Sequence, residues 1–309
     1  MAIRQEASPV DDSRKYLNPE VLSGLRGLDL KARLIVEGYV SGMHRSPYQG
    51  FSVEFAEHRE YSPGDDLRYV DWKVFGRSDR FFLKQYDEET NFNCHILLDT
   101  SESMTYRSEH ASLSKLEYGQ HVAAALAWLV VQQQDAVGVA TFDNQVQSLL
   151  PPASQTGHLK HVFHALDSVT GTGQTSVGSI LSELAERIRK RGLIILISDL
   201  FDDPDQIERG LRHLRHRRHD VSVLQLVDPA EQDFPFDGPM LFRGLEGFPD
   251  QFSEPRSLRK AYRAEFDSFV KTMGRVCRKL GFDHNLVRTD QTLDVALSAF
   301  LQRRSGSRR

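Results

Sequence analysis

Cys94-His95-Ile96-Leu97-Leu98-Asp99-Thr100-Ser101-Glu102-Ser103 passes from an apolar run into a string of oxygen-bearing side chains. A short apolar run without polar alternation suits a strand buried on both faces, as in a parallel sheet covered by helices. Asp99-x-Ser101-x-Ser103 then stands at the carboxyl end of that strand, the rim where ligands bind in open α/β sheets. This spacing can turn three side-chain oxygens from one loop towards a common point. Oxygen-only ligation suits a hard cation, Mg²⁺ or Mn²⁺, rather than zinc. Taken alone, the same residues also make ordinary turns and helix caps.

Downstream the pattern alternates between strand and helix. The spacing predicts a long helix over 116–133, then strands over 136–142 and 146–150. Only Asp143-Asn144-Gln145 separates those two strands, so the second is expected as an antiparallel edge strand. Helices follow over 159–169 and 177–190. Leu193-Ile194-Ile195-Leu196-Ile197-Ser198, the most apolar strand of the chain, runs into Asp199. A helix over 207–218, a strand over 221–227, a helix over 257–280, a strand over 284–287 and a final helix over 292–302 complete the pattern. Pro235, Pro239, Pro249 and Pro255 mark a Pro-rich insertion near 229–256. Strands alternating with helices of this length imply a doubly wound, mostly parallel sheet with helices on both faces. On such a sheet Gly171-Thr172-Gly173-Gln174-Thr175 and Asp199 open on the same edge as Asp99, and Thr175 can offer a third hydroxyl.

Upstream, residues 1–16 have the composition of a disordered terminus. Leu22, Leu25, Leu28, Leu30, Leu34 and Val36 recur at helical spacing, and Phe51, Val53 and Phe55 alternate as in a strand. Ser62-Pro63-Gly64-Asp65 is turn chemistry. The expected division is therefore an N-terminal helix with a small strand-rich appendage over 17–92, the α/β domain over 93–302, and a frayed tail over 303–309.

Composition narrows the function classes. With 309 residues, 39% hydrophobic and 27% charged, the chain has the balance of a soluble globular protein. A formal charge of −4 is too small and of the wrong sign to indicate nucleic acid or an anionic membrane as the main partner. Two cysteines, Cys94 and Cys277, make no disulfide framework and have no metal-type spacing. The polar start lacks a signal-peptide core, and the apolar stretch 122–131 is too short to span a bilayer, which takes about 20 residues. A cytoplasmic, soluble protein is expected.

The order D-x-S-x-S, Thr, Asp resembles the metal-ion-dependent adhesion site of von Willebrand A-type domains. The preceding stretch Glu54-Phe55-x-x-x-Arg59-Glu60-Tyr61-x-x-Gly64-Asp65-Asp66-x-Arg68-x-x-Asp71-Trp72-Lys73 is similar to the signature of one bacterial branch, the domain of unknown function 58 family. That family is often associated with MoxR-type AAA+ ATPases. The resemblance covers about 17–302. It implies Ser101, Ser103 and Thr175 as direct ligands of Mg²⁺ or Mn²⁺, with Thr172 a rival to Thr175 because the loop departs from the commonest Gly-Gly-Thr form, and with Asp99 and Asp199 acting partly through water. It also implies that a partner's Asp or Glu completes the shell. Thr100, Glu102 and Gln174 flank the site and are expected to touch that partner, a MoxR-type ATPase or its client. The function so implied is that of a non-enzymatic adaptor in complex assembly or maturation.

Other features have plainer readings. Asp65, Asp66, Arg68, Asp71 and Lys73 form either a docking surface or an ion-pair network beside a Trp72 that wants burial. The basic run 212–219 lacks interleaved aromatics and reads as a solvated helix face. His158, His161 and His164 miss the i, i+4 spacing of a zinc helix. The glycine-bearing loop before Thr175 has no Lys for a phosphate loop. The rival function is a Mg²⁺-dependent phosphatase of the haloacid-dehalogenase type, with Asp99 as nucleophile. That chemistry wants a carboxylic acid two residues on, where this chain has Ser101.

Overall fold

The structure is a computed structural model describing residues 18–23, 25–43, 59–60, 82–83, 93–171, 173–294 and 297–298. The chain divides into two compact units, Ser46–Asn91 and the remainder. Within the first, β1 (Arg59–Glu60) pairs antiparallel with β2 (Phe82–Leu83). The expected strand at Phe51, Val53 and Phe55, the turn at 62–65 and the signature residues Tyr61, Gly64, Asp65, Asp66, Arg68, Asp71, Trp72 and Lys73 lie outside the described residues, as do both termini.

The second unit is built on a six-stranded sheet. Its helices are α1 (Pro19–Ser23), α2 (Leu28–Met43), α3 (Lys115–Gln132), α4 (His158–Asp167), α5 (Val177–Arg187), α6 (Pro204–His216), α7 (Pro229–Asp233) and α8 (Pro255–Leu280). Its strands are β3 (Asn93–Asp99), β4 (Ala136–Phe142), β5 (Val146–Ala153), β6 (Leu193–Ser198), β7 (Asp220–Val227) and β10 (Asp283–Arg288), in the order β10-β7-β6-β3-β4-β5. All neighbours are parallel except β5, which runs antiparallel to β4 along one edge. The hairpin expectation is met. β5 contains Pro151 and Pro152, and its register with β4 slips between Val137 and Val139.

The apolar runs have no polar alternation because each strand feeds two cores. Ile96 and Leu98 of β3, with Ile195 and Ile197 of β6, pack on one face against Leu22, Ile35, Val122 and Leu126. Leu97, Ile194 and Leu196 point the other way, towards Leu184, Leu211, Met273 and Cys277. Full burial of each such side chain contributes about 1.5–3 kcal/mol. The fold is the doubly wound α/β arrangement that the resemblance implies. α2 counts with this unit rather than with the strand-rich segment, a correction to the expected boundary. Its Leu28, Ala32, Ile35 and Val36 are buried in the core shared with α3.

α3 is sandwiched between the sheet and α2, so its middle, Val122–Ala127, is buried on every side. A capping box starts it. The Glu117 amide donates to Ser114 Oγ at 3.1 Å, and the Ser114 amide donates to Glu117 Oε2 at 2.8 Å. The Pro-rich insertion holds α7 and a small antiparallel hairpin, β8 (Met240–Phe242) with β9 (Gln251–Ser253). Of the expected last helix, Asp294, Leu297 and Ser298 are described as helical. The basic run is exposed except for Leu214 and His219.

Candidate metal centre

Because the inner strands are parallel, their carboxyl ends share one rim, and an aspartate follows or ends each: Asp99 on β3, Asp143 after β4, Asp199 after β6 and Asp228 after β7. Asp99 and Asp199 therefore lie on the same side of the sheet. The Ser198 hydroxyl donates to Asp99 Oδ2 at 2.6 Å, and the Ser101 amide donates to Asp99 Oδ1 at 3.0 Å.

Three hydroxyls lie close together. Ser101 Oγ lies 3.0 Å from Ser103 Oγ, which lies 3.5 Å from Thr175 Oγ1. An isolated parallel bridge between Ser101 and Gly173 zips the two loops together, with the Glu102 amide donating to the Gly173 carbonyl at 2.8 Å. Gly173 has no room for a side chain, since a Cβ would come within 2.2 Å of Asp143 Oδ2. Thr172 lies outside the described residues, and Thr175 is the threonine placed beside the serines.

One flanking residue departs from expectation. Thr100 is buried, with its hydroxyl donating to the Phe142 carbonyl at 3.0 Å, so it ties the loop to β4 and cannot touch a partner. Gln174 is exposed and Glu102 half-buried, and both are engaged with the β8–β9 loop.

Sequence reasoning missed three charged residues here. Lys115, at the first position of α3, is buried and donates to Asp199 Oδ2 at 2.8 Å and to Glu231 Oε1 at 2.6 Å. Burial works against its charge, but Asp199 and Glu231 outweigh that and hold the ammonium above its ordinary range. Glu231 is itself raised by burial, against the pull of Lys115. The third is Glu246, in the β8–β9 loop. Its Oε1 accepts from Thr175 Oγ1 at 2.5 Å and from the Ser103 amide at 3.3 Å, while Oε2 accepts from the Thr175 amide at 2.9 Å. The readable signal for Lys115 was a cation in the first turn of a helix, where the dipole disfavours it unless carboxylates are close. For Glu246 the only signal was an acid between Gly244 and Gly247.

These residues suit a hard cation. Asp199 and Glu231 meet the ammonium of Lys115, while Asp99 accepts from Ser198 and Ser101 and Glu246 accepts from Ser103 and Thr175. Burial first, and then the charge of Asp199, push the Asp99 carboxyl well above the usual carboxylate range. Two carboxylates this close favour a neutralising proton or cation between them. Among the described residues no three His, Cys, Asp or Glu side chains group as a metal site, so hydroxyls must supply most of any shell. Beside the centre lies a cavity of 680 Å³, lined by Lys115, Asp199, Glu231, Glu246, Tyr262 and Phe269 among others.

The fold and this rim define an α/β domain with a hydroxyl-rich, acidic centre at the carboxyl edge of its sheet. The chain belongs to the family described as Protein of unknown function DUF58, whose sequence model matches residues 57–273. It is 26% identical over 282 residues to Uncharacterized protein Rv1480 of Mycobacterium tuberculosis, a match covering 89% of this chain and 86% of that one. Uncharacterized protein Mb1516 of Mycobacterium bovis matches with the same identity and coverage. Among solved structures it is similar to the conserved hypothetical protein BatB of Bacteroides thetaiotaomicron, at TM-score 0.47 and 17% identity over 70% of this chain and 99% of that one. It is also similar to the SpRpn10 VWA domain, at TM-score 0.38 and 14% identity over 67% and 93% of the two chains. Among the described residues no helix is long and apolar enough to cross a membrane.

Proposed function

We propose that this protein is a non-enzymatic binding module that captures a protein partner through a divalent cation, Mg²⁺ or Mn²⁺. The observation that carries this reading is the meeting of Ser101, Ser103 and Thr175 hydroxyls beside Asp99, on the rim that also bears Asp199. Neutral hydroxyls leave a bound divalent ion electron-poor and receptive to a further carboxylate. When bound, the cation would supply that attraction. The protein's own residues orient the donors, and Lys115 fixes Asp199 from behind.

Family resemblance supplies the expected partner, a MoxR-type AAA+ ATPase or its client, in assembly or maturation of protein complexes. Capture of such an ATPase by the purified chain is expected in millimolar-range Mg²⁺ and is lost on chelation or in Asp99→Ala and Ser101→Ala. Capture that persists unchanged in chelator would sink the cation dependence.

The geometry does not favour the phosphatase alternative. Asp99 is wholly enclosed, and both its carboxylate oxygens accept hydrogen bonds from the protein. A nucleophile must instead reach its substrate. Magnesium-dependent phosphate-ester turnover abolished by Asp99→Asn would reverse this preference.

A further inference from the structure

The partner-facing side of the centre already carries an acid from the chain itself. Glu246 reaches it from the β8–β9 loop, more than seventy residues beyond Thr175 and far from the Asp99 loop in sequence. Its two carboxylate oxygens take both donor groups of Thr175 and the amide of Ser103. The contact is not a casual collapse of a side chain, because the backbone is shaped to present it. Glu246 has φ 55° and Gly247 φ 82°, two successive left-handed residues. For a non-glycine residue that conformation is uncommon and persists only where surrounding contacts fix it. Here the contacts come from the two site loops. Glu102 Oε2 accepts from the Glu246 amide at 2.6 Å, and Gln174 Nε2 donates to the Glu246 carbonyl at 2.9 Å. Glu102 and Gln174, the residues flanking the hydroxyl cluster, thus grip an acidic residue by its backbone while its carboxylate enters the centre.

We propose that Glu246 is an in-chain carboxylate ligand of the divalent cation, filling the position that a partner's Asp or Glu takes, so that the β8–β9 loop is a plug that a partner must displace. This rests on the cation reading above. It gives the loop a role in specificity: only an acid presented on a surface able to push aside 243–250 gains the centre. Phe248, 64% exposed, stands on that loop, and Phe201, 61% exposed, also lines the adjacent cavity.

Mn²⁺ alone is the probe, titrated into the full chain and followed by the electron paramagnetic resonance of free Mn²⁺. Glu246→Gln and Glu246→Ala are each expected to weaken Mn²⁺ binding about tenfold or more, because a charged ligand is lost. Ser101→Ala is expected to abolish saturable binding. In parallel, Mn²⁺ should slow tryptic cleavage after the exposed Arg243 of the same loop in the parent chain and leave it unchanged in Glu246→Gln. Equal or tighter Mn²⁺ binding by folded Glu246 variants, with Ser101→Ala still defective, overturns the plug and leaves the cation reading standing. Absence of Mn²⁺ binding by the parent chain overturns both.

Discussion

Lys115 occupies a position where a cation is ordinarily unwelcome, the first turn of a helix, and its side chain is only 2% exposed. It persists because two carboxylates from distant stretches meet it. Removing one partner of a buried ion pair leaves an uncompensated charge, at a cost of about 3–5 kcal/mol. Lys115→Met should lower the unfolding free energy in urea at neutral pH by that order, and Glu231→Gln in the Lys115→Met background should recover part of it. A loss below about 1 kcal/mol would mean that Asp199 and Glu231 do not depend on the ammonium. The site residues differ in how openly the sequence displayed them. Asp99, Ser101 and Ser103 share one loop, so their spacing can be read locally, although alone it fits an ordinary turn equally well. Lys115 and Asp199 are separated by 84 residues and Lys115 and Glu231 by 116, and nothing in either local pattern names the other. Glu246 was hidden for the same reason, within an insertion whose prolines say only that regular structure pauses.

Among the elements, α5 and α6 illustrate how closely two helices approach when small residues face each other. A Cβ on Gly210 would lie 2.6 Å from the Gly178 carbonyl oxygen and 2.7 Å from Leu181 Cβ, and one on Gly178 would lie 2.4 Å from the backbone of Gln206. Neither backbone can yield without separating the helices. Gly210→Ala is therefore expected to cost about 1–3 kcal/mol by overpacking, read as a lowered urea midpoint with an unchanged slope. An unaffected midpoint would show that the helix pair has slack. Element type and order were readable from apolar period: the strand over 193–198 matches β6 end to end, and β5 was foreseen as an antiparallel edge. Other boundaries moved by a few residues where caps decide them, as at Asp203-Pro204, where the Asp203 side chain accepts from the Asp205 amide and starts α6 three residues before the expected 207. α2 was assigned to the wrong neighbour because periodicity reveals that a helix has an apolar face and not what that face meets.

For the molecule as a whole, acid stability follows from imidazoles enclosed in the neutral form. Burial first, and then the nearby His219, lower His95 to about 4; burial, and then Lys31, lower His121 to about 3. Lys31 Nζ lies 3.0 Å from His121 Nε2, a contact that protonation of the ring would break. Both folded-state values lie below the unfolded value near 6.5, so the unfolded chain takes up protons that the native chain refuses. The stability these two histidines contribute is thus complete above the unfolded pKa and falls as pH drops from about 6.5 towards 4, by about 2 kcal/mol per histidine at pH 5. The raised Asp99 carboxyl acts in the opposite sense but is common to parent and variant, so between pH 8 and 5 the urea midpoint of His95→Asn should lose less, or gain more, than that of the parent. Parallel pH profiles for the two proteins would contradict the burial argument.

The edge strand β5 has a bearing on how copies of the chain meet one another. Successive prolines at 151 and 152 leave two backbone positions without a donor, and the slipped register beside Val137 bends the strand away from a flat ladder. A second molecule laid alongside would find a missing rung. Lateral growth into ribbons is thereby discouraged on that flank, so crowded molecules have little means of polymerising through it.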